Sequence, residues 1–178
     1  MRVVIDTNVA VVANRRSEQA SPECVRSCLQ RLQMITQETD KLVLDNQRHI
    51  IREYQANLRS DGQPGVGDAF LKWVLTNWKN KKRCELVMIT QVGTDETDFR
   101  EFPTDPALKG FDRSDRKFVA VALAHSQRPP ILQAVDSKWW NFKEALGRYD
   151  VKVDFLCPQD LQRLRGRQRK QQKMKRRS

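Results

Sequence analysis

The feature that most restricts the fold of this chain is an alternation of short apolar runs with longer stretches of helical period. Val3 to Asp6, Lys41 to Asp45, ELVMIT at 85–90, PPILQAVD ending at Asp136 and VKVDFL at 151–156 read as strands rich in Val, Ile and Leu. Between them, SPECVRSCLQRLQMI repeats Val25, Cys28, Leu29, Leu32 and Ile35 at helical spacing, and Asn46 to Leu58 turns Ile50, Ile51, Tyr54 and Leu58 to one side. GDAFLKWVLTNWKN does the same with Phe70, Trp73 and Val74. In FDRSDRKFVAVALAH, Asp112 and Ser114 offer N-caps to a face of Phe118, Val119, Ala122 and Leu123. A short helix is expected around Phe142 to Leu146. Strand and helix in turn imply an α/β fold in three layers, with a central, mostly parallel sheet, helices on both faces and right-handed crossovers. The polar stretch from Gly93 to Gly110 breaks the rhythm and is expected to be a mobile loop.

Charge divides the chain in two. From Arg163 onward, RLRGRQRKQQKMKRRS carries nine Lys or Arg and no acid, against a net charge of +11 for all 178 residues. Residues 1–162 are therefore expected to form one folded domain, and residues 163–178 a basic, disordered tail. Arg165, Arg167, Arg169, Lys170, Lys173, Lys175, Arg176 and Arg177 are its candidate phosphate contacts, because neutralising nucleic-acid phosphates releases counterions. The four cysteines contain no C-x-x-C pair. Cys24 and Cys28, one helical turn apart, read as a buried stripe rather than metal ligands, and a reducing, cytoplasmic setting fits best. His49 and His125 read as surface or helix-end residues. No apolar stretch is long enough to span a bilayer, and the first fifteen residues do not form a signal peptide, so no membrane association is expected.

Asp6 closes an apolar strand, where an unpaired carboxylate is costly to bury and must be paired, protonated or bound to a cation. Its bland role is to cap the strand end by bonding nearby amides. In open parallel sheets, however, loops and helix starts gather outside the carboxyl ends of the strands. Asp136 ends another strand at that edge, Asp115 lies in the first turn of a helix that starts there, and Glu53 sits two turns into the helix after the second strand. Four acids from distant segments thus converge, and their mutual repulsion calls for divalent cations. A cluster without histidine or cysteine selects hard ions, Mg2+ or Mn2+, which serve phosphodiester hydrolysis by activating water and steadying the leaving oxygen.

VVIDTNV, Glu53 in HIIREY, SDRKFVAVALAH and ILQAVDSKW, in this order across residues 1 to 156, resemble the landmarks of the PIN-domain ribonucleases. The resemblance implies a PIN-like fold and an endoribonuclease that cuts single-stranded RNA to leave a 5′-phosphate. It makes Asp6, Glu53, Asp115 and Asp136 the metal-binding acids, with Asn8 orienting Asp6 or a water on the metal through its amide. A cognate inhibitor or antitoxin protein, and a homodimer, belong to the same set of expectations. Asp112 competes with Asp115 for the third acid, but Asp115 stands directly ahead of the helical run. The chain is longer than the compact toxins of the family, and the basic tail is outside the family pattern.

Rival chemistries fit less well. Haloacid-dehalogenase-like phosphatases need a second Asp two residues after the first, where this chain has Asn8. No GxxxxGK[ST] loop exists. A catalytically silent RNA-binding or ribonucleoprotein scaffold is the main alternative, and DNA remains a candidate substrate. Trp139 and Trp140 follow Asp136; one is expected to pack inside and the other to lie near the groove, where it could stack a base.

Overall fold

A computed structural model of the chain describes residues 1–37, 40–94 and 97–175, with side chains as far as residue 167. Five strands, β1 (Arg2–Ile5), β2 (Lys41–Asp45), β3 (Cys84–Val87), β4 (Ile131–Gln133) and β5 (Val153–Phe155), form one sheet in the order β3-β2-β1-β4-β5. Every pairing is parallel, with Arg2 opposite Lys41, Val4 opposite Ile131, Leu42 opposite Cys84 and Ile131 opposite Val153. Val3, Val4, Ile5, Leu42, Val43, Leu44, Ile131 and Leu132 are almost fully buried, as strands covered on both faces must be.

Among the described residues seven α-helices connect the strands: α1 (Thr7–Ala13), α2 (Pro22–Gln37), α3 (His49–Asn57), α4 (Val66–Asn77), α5 (Arg116–Ala124), α6 (Ser137–Gly147) and α7 (Pro158–Lys175). The chain runs outward from β1 to β2 and β3, then returns past β1 to β4 and β5. Because the second half of the chain runs back across the sheet, the right-handed crossover rule would set its helices on the opposite face from those of the first half, and α5 packs against β1, β2 and β4. The strand order reverses between β1 and β4, which is where such sheets open a crevice at their carboxyl ends.

The expected strands and helices are present, with instructive differences. Helix α1 was not anticipated, because TNVAVVA is short and β-branched and has no helical stripe of its own. It forms because the Asp6 side chain accepts from the Asn8 backbone N–H and because Val9, Ala10, Val12 and Ala13 are buried against α2 and α4. Helix α4 approaches it so closely that a Cβ on Gly67 would stand 2.1 Å from the Ala10 carbonyl oxygen. Helix α6 begins at Ser137, five residues before the expected start, with Asp136 as its N-cap.

The polar segment before α5 is held by aromatic packing. Phe99, Phe102, Leu108 and Phe111 are buried, Gln91 and Phe99 form an antiparallel bridge, and Phe111 sets its ring edge against Trp139 and Phe142. The basic segment also differs from expectation, since its backbone continues as α7 to Lys175. Leu161 is buried, Leu164 packs on the core, and Arg, Lys and Gln favour helix intrinsically.

The cysteines are buried as expected, but Cys24 and Cys157 are joined by a disulfide that ties α2 to the start of α7. Cys28 remains a buried thiol, its pKa pushed up to about 12 by burial. The two histidines lie at helix ends but not at the surface. His49 begins α3, and His125 at the end of α5 bonds Glu85 at 2.9 Å.

Candidate active site

Four segments deliver carboxylates to the carboxyl edge of the sheet. Asp6 stands between β1 and α1, only 4% exposed, with its Oδ1 accepting from Asn8 N–H at 2.8 Å. Asp136 caps α6 just beyond β4, its Oδ1 accepting from Lys138 N–H at 2.8 Å. Asp115 closes a 3-10 turn, Arg113–Asp115, immediately before α5, and its Oδ2 accepts from the Trp139 indole Nε1–H at 3.0 Å. Glu53 projects from the middle of α3, where its Oε1 accepts from Thr7 Oγ1–H at 2.8 Å and its Oε2 pairs with the Lys117 ammonium.

The electrostatics tie these groups together. Burial is the main cause that lifts the Asp6 pKa well above its ordinary value, and the negative charges of Asp115, Glu53 and Asp136 push it further. Asp115 is raised to about 7, first by burial and then by Asp112, Glu53 and Asp136, while its bond from Trp139 acts the other way. Asp6 therefore feels all three of the other acids, and Asp115 feels Glu53 and Asp136.

Asp112 has a different occupation. Its Oδ1 accepts from the Ser114 backbone N–H at 3.1 Å and hydroxyl at 2.8 Å, and Lys138 lies 3.4 Å from its Oδ2. These bonds, led by the Ser114 hydroxyl, hold its pKa below the usual value. Of the two competing acids, Asp115 is the one beside Asp6.

Asn8 stands between the turn of Asp6 and the turn of Asp136. Its backbone N–H, not its amide, bonds Asp6, and its side-chain carbonyl accepts from Val135 N–H at 3.0 Å. It braces the turn carrying Asp136 against the turn carrying Asp6. Trp139 is buried, whereas Trp140 packs on Phe155 with Lys143 and Arg165 over its ring. The Arg165 guanidinium is thus stacked 5.1 Å from Trp140, and Arg167 is exposed. The side chains of Arg169, Lys170, Lys173 and Lys175, and all of Arg176 and Arg177, lie outside the described residues.

The donor set suits a hard, hydrated ion. Among the described residues no three of these acids bring oxygens within 4.8 Å of one another; the group that does is the sulfur trio Cys24, Cys28 and Cys157. The four carboxylates are oxygen donors of the hard type that Mg2+ and Mn2+ favour over the softer ligands zinc prefers.

Sequence reasoning missed two participants. Lys117 follows Asp115 by two residues, and no sequence signal singles it out from the other lysines. Trp139 looked like packing or a base platform, and no pattern in the sequence pairs its indole with Asp115. Comparisons with family models, characterised proteins and solved structures found no match.

Proposed function

We propose that the chain is a metal-dependent, PIN-like endoribonuclease that hydrolyses phosphodiester bonds of single-stranded RNA. The observation that carries this reading is that four acids from separate segments, Asp6, Glu53, Asp115 and Asp136, gather where the strand order of a parallel sheet reverses, with Asp6 and Asp115 raised first by burial and then by neighbouring acids. Bound Mg2+ or Mn2+ would supply charge for the phosphoryl oxygens and a more acidic water. Asp6, Glu53, Asp115 and Asp136 provide the acidic surface for it. Trp139 and the Asn8 amide at α1 keep Asp115 and the Asp136 turn in register, so little reorganisation remains when substrate binds.

One observation favours a second reading, a silent RNA-binding scaffold: both oxygens of Glu53 are already engaged, by Thr7 and Lys117. Incubating the protein with mixed single-stranded RNAs in Mn2+ or EDTA separates the two. The nuclease reading expects cleavage that EDTA abolishes and Asp6→Asn removes; RNA retarded on a gel but never cut would establish the scaffold.

The basic half of α7 is the proposed backbone grip. Ending the chain after Arg167 keeps Leu161, Leu164 and the Arg165 stack, so the fold should stand. RNA affinity should fall with a shallower salt dependence, while single-turnover cleavage at saturating RNA stays nearly unchanged. An unchanged salt slope would show the segment to be only a solvated appendage.

A cytoplasmic setting is proposed together with the RNA substrate. There Cys24 and Cys157, 2% and 4% exposed, would be shielded from reducing thiols by burial. A homodimer and a cognate inhibitor protein are further proposals from the resemblance. Among the described residues no helix is long and apolar enough to cross a membrane.

A further inference from the structure

Three sulfurs meet where α2 passes the start of α7. Cys24 and Cys28 lie one turn apart on the buried face of α2, and Cys157 immediately precedes α7. Cys24 and Cys157 are bonded to each other, and the sulfurs of all three residues stand within 4.8 Å of one another. As a packing residue Cys28 could be Ala or Val; as a sulfur it completes a set of three.

Thiolates are soft donors that select ions such as Zn2+, and three protein ligands with an open fourth position are an ordinary coordination set for zinc. Zn–S bonds of about 2.3 Å in tetrahedral geometry put the sulfurs about 3.8 Å apart. The Cys28 sulfur is in range of that arrangement, and Cys24 and Cys157 reach it by side-chain rotation once their bond is reduced. A cavity of about 190 Å3, lined by Ser21, Cys24, Ser27, Cys157 and Asp160, borders two of the sulfurs and has room for a water in the fourth position.

We propose that Cys24, Cys28 and Cys157 form a redox-dependent zinc site: the reduced chain holds Zn2+ through three thiolates, and in the oxidised chain the Cys24–Cys157 disulfide takes the place of the ion. Two molecules of a thiol supply the two electrons and two protons of reduction and leave as their own disulfide, while the Cys24–Cys157 bond breaks to two thiols. Burial slows that exchange without sealing it, because the cavity reaches both bonded sulfurs. Zn2+ binding then forms three Zn–S bonds and releases three protons. A disulfide oxidant reverses the exchange and frees the ion. In either state the start of α7 is fastened to α2. Ser21 N–H on Asp160 at 2.7 Å and Arg163 on the Gln19 carbonyl at 2.9 Å keep the two segments adjacent while the link changes. The site shares no residue with the acidic cluster and does not depend on the nuclease reading.

Cobalt reports sulfur ligation directly, which separates this site from the carboxylates. Full-length protein, reduced with a phosphine and stripped of metal, should develop the thiolate-to-cobalt charge-transfer absorption on titration with Co2+, saturating at one equivalent, and Zn2+ should bleach it. The disulfide form should lack the absorption. Reduced Cys28→Ser, which keeps the bonded pair, should bind Co2+ at this site at least about tenfold more weakly, whereas Cys84→Ser, a buried thiol outside the group, should match wild type. No absorption in the reduced wild type, or reduced Cys28→Ser within about threefold of wild type, would overturn the proposal. Should the metal-free reduced chain unfold, circular dichroism gives the readout. One equivalent of Zn2+ should then restore the helical signal in wild type and not in Cys28→Ser, and a wild type that stays unfolded with Zn2+ would refute the site.

Discussion

The ends of β1 and β2 carry the same chemistry to two different uses. An acid stands at the end of each of these adjacent parallel strands, Asp6 just after β1 and Asp45 as the last residue of β2, and each is buried where a helix is about to begin. Asp45 accepts from the first amides of α3, His49 N–H at 2.8 Å on one oxygen and Ile50 N–H at 2.9 Å on the other. Both of its oxygens are satisfied, and it acts as a structural cap. Among the described residues Asp6 accepts from one amide, and the charges of Asp115, Glu53 and Asp136 press on it. The difference lies in position, since β1 is central and borders the reversal of strand order, whereas β2 lies inside the run toward β3. A buried acid becomes a candidate catalyst when its neighbours leave it electrostatically frustrated, and a scaffold element when the backbone satisfies it.

The largest expected effect is a double dissociation between these two acids. Asp6→Asn should lower RNA cleavage by at least about a thousandfold, the several kcal/mol that a cation's stabilisation of phosphoryl oxygens represents, while metal-free stability holds or rises as repulsion is relieved. Asp45→Ala should do the reverse, costing about 2 kcal/mol in chemical denaturation by stranding the α3 amides, with cleavage by the folded fraction retained. Equal behaviour of the two variants would erase the distinction.

A smaller contrast concerns Asp115 and Asp112. Asp115→Asn should impair cleavage strongly and weaken Mn2+ binding, because Asp115 shares the site with Asp6. Asp112→Asn should change cleavage severalfold at most, through loosening of the turn that Ser114 closes. Measured Mn2+ affinities of the two variants decide it, and a larger loss in Asp112→Asn would reverse the assignment.

The smallest effect is the dependence of stability on pH without metal. Asp115 is raised from 3.8 to about 7 in the fold, so between those values the native state binds more protons than the unfolded chain. Stability in EDTA should therefore decline as pH climbs through that window, and the elevation of Asp6 adds in the same direction. Melting temperatures across this range should fall less in Asp115→Asn, and saturating Mn2+ should remove the decline. A wild-type melting temperature that rises from pH 4 to 7 in EDTA would mean these acids are not strained by one another.

The strand and helix pattern was legible because burial on both faces demands continuous apolar runs in parallel strands and a periodic stripe in the helices. KLVLD matches β2 residue for residue, and Ile50, Ile51, Tyr54, Phe70 and Val74 are buried as their spacing required. Which acids stand at the carboxyl edge followed from the same alternation, since a parallel sheet sends every strand end to one side. What chain order could not supply was any relation between residues far apart. Helix α1 depends on an Asp6 cap and on two neighbouring helices, so its seven residues carry too weak a local signal. The Cys24 to Cys157 bond spans 133 positions, and nothing in cysteine spacing reports that α2 and the start of α7 are adjacent. Trp139 on Asp115 and Lys117 on Glu53 are side-chain pairings across separate elements, set by the angle at which helices cross the sheet. Sequence determined the layers and the edge on which charge collects, because those follow from local periodicity. Tertiary structure alone decided which charges meet, which are satisfied and which are left for a cation, because that depends on distances no linear pattern encodes.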